Sequence, residues 1–114
     1  MALSLELDQE PKYWRLSLAG DLDYGECSLF RMSIDRILKS DLRSAVVDLA
    51  GLEYLDSSGL GLLLSLSKEY TTVGGRLVLV TNETVDNILS LTRLNGIFAT
   101  TSTLHEAEQV LGLE

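Results

Sequence analysis

The hydrophobic pattern of this chain changes its period several times, and these changes constrain the fold more than any other feature. Two segments near the N-terminus alternate apolar and polar residues, and their apolar positions are Leu3, Leu5, Leu7, Trp14, Leu16 and Leu18. A period of two is typical of strands that bury one face. Because Pro11 and Lys12 separate the segments, we predict an antiparallel hairpin whose first strand is a sheet edge and whose second strand ends at Gly20 and Asp21.

Helical spacing begins near Asp23, where the period lengthens to about 3.6 residues. The apolar face of this predicted helix carries Cys27, Phe30, Ile34, Ile37 and Leu38. The compact apolar run at residues 45–49 then predicts a strand that is buried on both faces, which is typical of a parallel sheet. A helix followed by a buried strand indicates a crossover connection.

The rest of the chain repeats the alternation of helix and strand. The predicted elements are a helix that passes through Tyr70 and stops before Gly74, a strand at 76–80, a helix capped by Thr81 or Asn82 and ended by Asn95 and Gly96, and a strand at 97–99. Thr103 and Glu106 have the spacing of a capping box and open a terminal helix. The positions of this helix that are predicted to pack inward are Leu104, Ala107, Val110 and Leu111.

This order of elements predicts a single α/β domain spanning residues 1–114. Right-handed crossovers give a mostly parallel sheet with an antiparallel N-terminal edge strand and four helices packed over it. The apolar edge strand could also pair with a second copy, so the sequence is compatible with a monomer or a weak dimer.

Charge and composition exclude several classes of function. The chain has 17 acidic and 9 basic side chains, a formal charge of −8, so phosphate backbones and anionic lipid would repel it. One cysteine, Cys27, and one histidine, His105, cannot form a disulfide or a Cys/His zinc site. The N-terminus lacks a basic signal region, and no apolar run approaches the ~20 residues of a membrane span. We therefore expect a cytoplasmic protein without nucleic-acid, membrane or metal partners.

One segment indicates a site, because it follows the central strand at the carboxyl edge of the sheet, where open α/β folds bind ligands. Its residues are Asp56, Ser57, Ser58, Gly59, Leu60 and Gly61. Asp56 or Ser57 can cap the next helix. Capping does not require the two glycines, each of which costs up to about 1 kcal/mol relative to Ala within a helix. Either the glycines let the helix pack near its own sheet, or they let a partner approach Ser57, Ser58 and Gly61.

Two further segments complete a pattern. Gly20, Asp21, Leu22 and Asp23 follow an early strand, and Gly74, Gly75 and Arg76 precede a later one. Together with the 56–61 segment, these residues resemble the STAS domain of bacterial anti-anti-sigma factors, and the resemblance covers essentially the whole chain. It implies a protein-binding switch rather than an enzyme.

The resemblance implies that Ser57 is phosphorylated by a partner that is both an anti-sigma factor and a serine kinase. The unmodified form binds this partner and frees the sigma factor, the modified form releases it, and a separate phosphatase restores Ser57. ATP and magnesium belong to the kinase, so no cofactor is expected here. The residues expected to contact the partner are Asp21, Asp23, Asp56, Ser58, Gly59, Gly61 and Ser65.

Elementary electrostatics agrees with such a switch. A phosphate on Ser57 adds about −1.5 to −2 charge at the start of a helix, where free amides and the helix dipole favour an anion. The fold should therefore survive the modification. If the strand ends meet as predicted, the added charge lies beside Asp56, Asp21 and Asp23 and weakens binding on a surface that the kinase must desolvate.

Three alternatives stand beside this hypothesis. A receiver-like phosphoacceptor domain has a similar β/α order, but Asp48 lies within its predicted strand and residues 97–101 contain no lysine. A serine hydrolase would need the nucleophile elbow Gly-x-Ser-x-Gly, and Leu55 stands where its first glycine should be. His105 is its sole candidate base. The third alternative keeps the STAS fold as a kinase-independent ligand-sensing or assembly module.

Overall fold

The computed structural model describes residues 2–113 as one five-stranded sheet with four α-helices. The strands are β1 (Ser4–Gln9), β2 (Trp14–Leu22), β3 (Ser44–Leu55), β4 (Arg76–Val80) and β5 (Ala99–Thr101). The helices are α1 (Cys27–Lys39), which follows a 3-10 turn at Tyr24–Glu26, α2 (Ser57–Thr72), α3 (Glu83–Leu91) and α4 (Leu104–Val110). The strand order is β1-β2-β3-β4-β5, with β1 antiparallel to β2 and all other neighbours parallel. The predicted α/β fold is confirmed.

The helices cover the two faces of the sheet unequally. The larger core lies beneath α1, α2 and α3, and its buried side chains include Leu16, Phe30, Val47, Leu63 and Leu89. The smaller core lies beneath α4 on the other face and includes Tyr13, Val46, Val78 and Ala107. Val46 and Val47 are neighbours in β3 and are fully buried in different cores, which confirms that this strand is buried on both faces.

Three strands, β2, β3 and β5, have boundaries that differ from the predicted ones. β3 extends beyond residue 49 to Leu55, and β2 extends beyond Asp21 to Leu22, because the ends of these strands pair with each other up to Leu22 and Leu55. Such pairing between distant segments is not visible in the apolar pattern of either strand. β5 begins at Ala99 rather than at residue 97, since the amide of Ile97 donates to the carbonyl of Leu94 at 3.0 Å and closes a turn.

Two helix ends show how the backbone decides where a helix stops. Gly74 has a φ of 80°, and the amide of Gly75 donates to the Tyr70 carbonyl at 2.7 Å, so the predicted stop of α2 is confirmed. The end of α3 was predicted at residues 95–96 and is wrong. Arg93 takes the left-handed conformation there with a φ of 61°, and the amide of Leu94 donates to the carbonyl of Leu89 at 2.8 Å. Glycine or asparagine usually holds this position.

The helix starts follow the predicted caps. Asn82 caps α3, since its Oδ1 accepts a hydrogen bond from the Val85 amide at 2.8 Å. Thr103 caps α4, and its Oγ1 accepts from the Glu106 amide at 3.1 Å. Ala107 of α4 and Leu111, the residue after its last turn, are buried as predicted, whereas Val110 is exposed and its inward prediction is wrong.

Candidate functional site

The carboxyl ends of β2 and β3 lie side by side, as the sequence predicted. Leu22 pairs with Leu55 at the last register position. The amide of Asp56, the next residue after β3, donates to the Leu22 carbonyl at 3.2 Å. The segment after β2 and the start of α2 therefore meet at one edge of the sheet.

Asp56 joins these two segments through three hydrogen bonds. Its Oδ1 accepts from the amides of Ser58 at 2.9 Å and Gly59 at 3.1 Å, which makes it the N-cap of α2. Its Oδ2 accepts from the amide of Tyr24 at 3.0 Å and so fixes the turn before α1. The expectation that the first amides of α2 are free to receive an anion is therefore wrong for Ser58 and Gly59.

Ser57 is the first residue of α2 and is exposed. Its hydroxyl makes no hydrogen bond within the part of the chain that the structure describes. A side chain in this position is open to an incoming active site.

An open groove of about 430 Å³ runs beside Ser57, between α1 and α2. Its lining residues are Tyr24, Cys27, Arg31, Ser57, Ser58, Gly61, Leu62 and Ser65. The structure thus brings together Ser57, Ser58, Gly61 and Ser65, four of the residues that the resemblance assigns to the switch. The α1 side of the groove was missed, because nothing in the sequence alone shows that the 3-10 turn is tied to Asp56.

The two glycines of the motif have different surroundings. Gly59 is buried, and a Cβ at this position would lie 2.7 Å from Leu22 Cγ and 2.9 Å from Leu55 Cδ1. A Cβ on the exposed Gly61 would meet no atom within 4 Å. Packing against the sheet explains Gly59, which does not line the groove. Only Gly61 fits the close-approach hypothesis.

The predicted acidic residues are placed on two sides of the sheet. Asp23 is half-buried beside the groove, and its carbonyl accepts from the Cys27 thiol at 3.3 Å. Asp21 precedes Leu22, whose side chain is buried in the core beneath α1 and α2. Alternation along β2 therefore directs Asp21 to the opposite face, away from the groove. The prediction that Asp21 lies with the other site residues is wrong.

Charged groups around the groove shift the pKa of the Cys27 thiol. The predicted burial of this residue is only partly met, since it is half-buried. Burial raises the pKa of the Cys27 thiol, the carboxylates of Asp56 and Asp23 raise it further, and Arg31 opposes them. Two acidic groups and one guanidinium thus act on the same point of the groove.

The residues required by the rival chemistries are not assembled. Asp48 lies inside β3, where its Oδ1 accepts from the Ala50 amide at 3.0 Å, so it is a local structural residue rather than a pocket acid. His105 lies on α4, which packs on the face of the sheet opposite to α2. It cannot serve Ser57 as a base. Among residues 2–113, no group of three metal-ligating side chains is present and no helix is long and apolar enough to cross a membrane.

Comparisons with known proteins agree with this geometry. A model of the STAS domain matches residues 4–107. The anti-sigma F factor antagonist of Paenibacillus polymyxa is 29% identical over 96 residues, which cover 82% of this chain and 82% of that protein.

Solved structures share the whole architecture. An anti-sigma factor antagonist from Mycobacterium paratuberculosis superposes with a TM-score of 0.86 at 20% identity, covering 97% of this chain and 95% of that one. The anti-sigma factor antagonist SpoIIAA in its unphosphorylated form gives a TM-score of 0.81 at 24% identity over 97% of this chain and 99% of its own. The phosphorylated form of SpoIIAA, from Bacillus, gives 0.74 at 22% identity over 95% and 99%. Because the family model spans most of its length, the chain belongs to the STAS domain family.

Proposed function

We propose that this chain is an anti-sigma factor antagonist whose hold on its partner is switched by phosphorylation of Ser57. The observation that carries the proposal is the exposed Ser57 hydroxyl, unbonded within residues 2–113, at the first position of α2 and beside an open groove. Relatives named as anti-sigma factor antagonists support the partner class. SpoIIAA, which shares the fold, has been described in unphosphorylated and phosphorylated forms.

The partner is an anti-sigma factor that is also a serine kinase. It would transfer the γ-phosphoryl group of ATP to Ser57 Oγ, with ADP as the leaving group and the hydroxyl proton passing to a kinase base. ATP and magnesium come with the kinase, so this chain needs no cofactor and performs no catalysis. A serine phosphatase would reverse the modification by hydrolysis.

The surface that the partner covers is small and close to Ser57. Ser58, Gly61 and Ser65 form one smooth side of the groove, and Gly61 offers no side chain to hold a partner away. Asp23 directly precedes the 3-10 turn whose first residue, Tyr24, lines the groove. A phosphate on Ser57 places a second strong anion next to Asp56 and Asp23, which raises the desolvation cost of this surface and weakens binding.

The proposed partner also determines the cellular compartment and the oligomeric state that we expect. An antagonist of this kind acts in the cytoplasm, where sigma factors bind polymerase, and it works as a monomer or a weak dimer with one binding surface per chain. Its strongly acidic balance, −8 overall, disfavours direct contact with nucleic acid.

Phosphoryl transfer tests the proposal directly. The chain is incubated with ATP, magnesium and a candidate kinase from the same genome, and intact-mass analysis is followed by site mapping. We expect one phosphoryl group on Ser57, none on Ser57→Ala, and normal labelling of Ser65→Ala, which removes a hydroxyl from the same groove. Labelling at another residue, or none with any candidate kinase of the genome, would refute the switch.

A further inference from the structure

We propose that Arg31 holds the phosphate of phosphorylated Ser57 through an ion pair across the groove between α1 and α2. This inference rests on the proposed function, since it concerns the modified form of the same serine. It gives α1 a part in the switch. Modification then does two things at once, because it adds negative charge at Ser57 and engages a cation that the unmodified protein exposes to its partner.

The start of α2 does not supply enough donors for a phosphate by itself. Helix N-termini bind anions through their first, unpaired amides. Here Asp56 Oδ1 already accepts from the Ser58 and Gly59 amides. The amide of Ser57 itself is the first-turn donor that is not engaged within residues 2–113. Any further protein donor to the phosphate oxygens therefore comes from outside the first turn of α2.

Arg31 is placed to provide that donor. It follows Cys27 by four residues on α1, so both side chains lie on one helix face, and both line the groove together with Ser57. Arg31 is exposed and forms no hydrogen bond or ion pair within residues 2–113. The planar fork of a guanidinium fits two oxygens of a phosphate.

The other charges around the groove favour pairing of the phosphate with a cation. The carboxylates of Asp23 and Asp56 lie near it and repel a phosphate dianion, while Tyr24 and Cys27 supply no positive charge. Among the described residues that line the groove, Arg31 carries the one positive charge. Arg31 also opposes the rise in the pKa of Cys27, which lines the same groove.

The test uses phosphoserine installed at position 57 during synthesis with a phosphoserine-specific suppressor tRNA, so no kinase is involved. Titration followed by 31P NMR gives the second pKa of the phosphate, which is about 6 for an unperturbed phosphoserine. An ion pair favours the dianion. We therefore expect this pKa to be about 0.5 unit higher in Arg31→Gln than in the otherwise unchanged phosphoprotein, and partly restored in Arg31→Lys.

Lys68→Gln is the matched control. It removes the same charge from an exposed residue of α2 that lies about 16 Å from Ser57 along the helix axis, beyond the Debye length of about 8 Å. The phosphate pKa should not change in this variant. Because Arg31 and Lys68 are exposed, both variants should keep the parent's melting temperature by circular dichroism.

Equal phosphate pKa values in the parent and Arg31→Gln would overturn the inference. An equal shift in Lys68→Gln would do the same, because it would show a general charge effect instead of a pair. The result does not depend on any kinase. A failure of phosphoryl transfer to Ser57 would refute the proposed function, whereas a failure of this titration would refute only the role of Arg31.

Discussion

The helices α2 and α3 begin in the same way and then present different residues at matching positions. Each follows a parallel strand and starts with a side-chain cap, Asp56 for α2 and Asn82 for α3. Each cap also reaches a neighbouring segment, since Asp56 accepts from Tyr24 and Asn82 donates to carbonyls of β3. Capping therefore does not distinguish the junction at the candidate site from the junction before α3.

The difference lies in the residues that follow the cap. The third residue of α3 is Val85, which is fully buried, while the third residue of α2 is Gly59, which is buried without a side chain. The first residue of α3 is acidic Glu83, whereas that of α2 is Ser57. The missing side chain of Gly59 lets the start of α2 lie close to the sheet.

The largest expected effect comes from adding a side chain at Gly59, where α2 lies close to the sheet. Gly59→Ala puts a Cβ 2.7 Å from Leu22 Cγ, and overpacking of this kind costs about 2 kcal/mol of unfolding free energy. Gly61→Ala is the matched control on the same helix, because its Cβ meets no atom within 4 Å. Urea unfolding should show a loss for the first variant and none for the second. Equal stabilities would mean that α2 does not need to lie this close.

The second largest effect is expected when Asn82, the cap of α3, is replaced by aspartate. Asn82 Nδ2 donates to the carbonyls of Leu52 at 2.8 Å, Ala50 at 3.1 Å and Leu49 at 3.4 Å. Asn82→Asp keeps the cap on α3 but turns an acceptor toward these carbonyls, so we expect a loss of about 1.5 kcal/mol at neutral pH.

The reverse exchange at α2 is the comparison for this variant. Asp56→Asn keeps an acceptor for Ser58 and Gly59 but directs an amide donor at the Tyr24 amide. We expect a smaller loss, about 1 kcal/mol, since one hydrogen bond is affected instead of three. A neutral result for Asn82→Asp in chemical unfolding would show that its contacts with β3 contribute nothing.

A third effect concerns binding rather than folding. Gly61→Gln introduces a long side chain on the exposed side of α2 without a clash in the free protein. We expect the affinity for the anti-sigma partner to fall about tenfold, a change of about 1.4 kcal/mol, while stability is kept. Titration calorimetry with the unmodified protein measures this, with Lys68→Gln as a distant control. Unchanged affinity would remove Gly61 from the contact surface.

The parts of the fold that depend on local pattern were predictable from the sequence. β4 was predicted with its observed bounds because its apolar run is compact, and the Thr103 capping box and the Gly74 stop are local signals. The end of α3 was not predictable, since Arg93 adopts a conformation that glycine usually takes. The full length of β3 depends on pairing with β2, which no single segment encodes.

The candidate site was likewise predictable only in part. The resemblance to the STAS domain was sufficient to name Ser57, Ser58, Gly61 and Ser65, and all four line one groove. Two outcomes needed the tertiary structure: the side of β2 on which Asp21 lies, and the contribution of Arg31 from α1. The latter depends on the hydrogen bond between Tyr24 and Asp56, which joins segments 32 residues apart.

The central claim is that charge at Ser57 controls binding, and affinity for the anti-sigma partner tests it most directly. Three forms are compared by titration calorimetry: the unmodified protein, Ser57→Ala, and the protein with phosphoserine at position 57. The account predicts that Ser57→Ala binds like the unmodified protein and that the phosphorylated form binds at least about tenfold more weakly. Equal affinity of the phosphorylated and unmodified forms would contradict it.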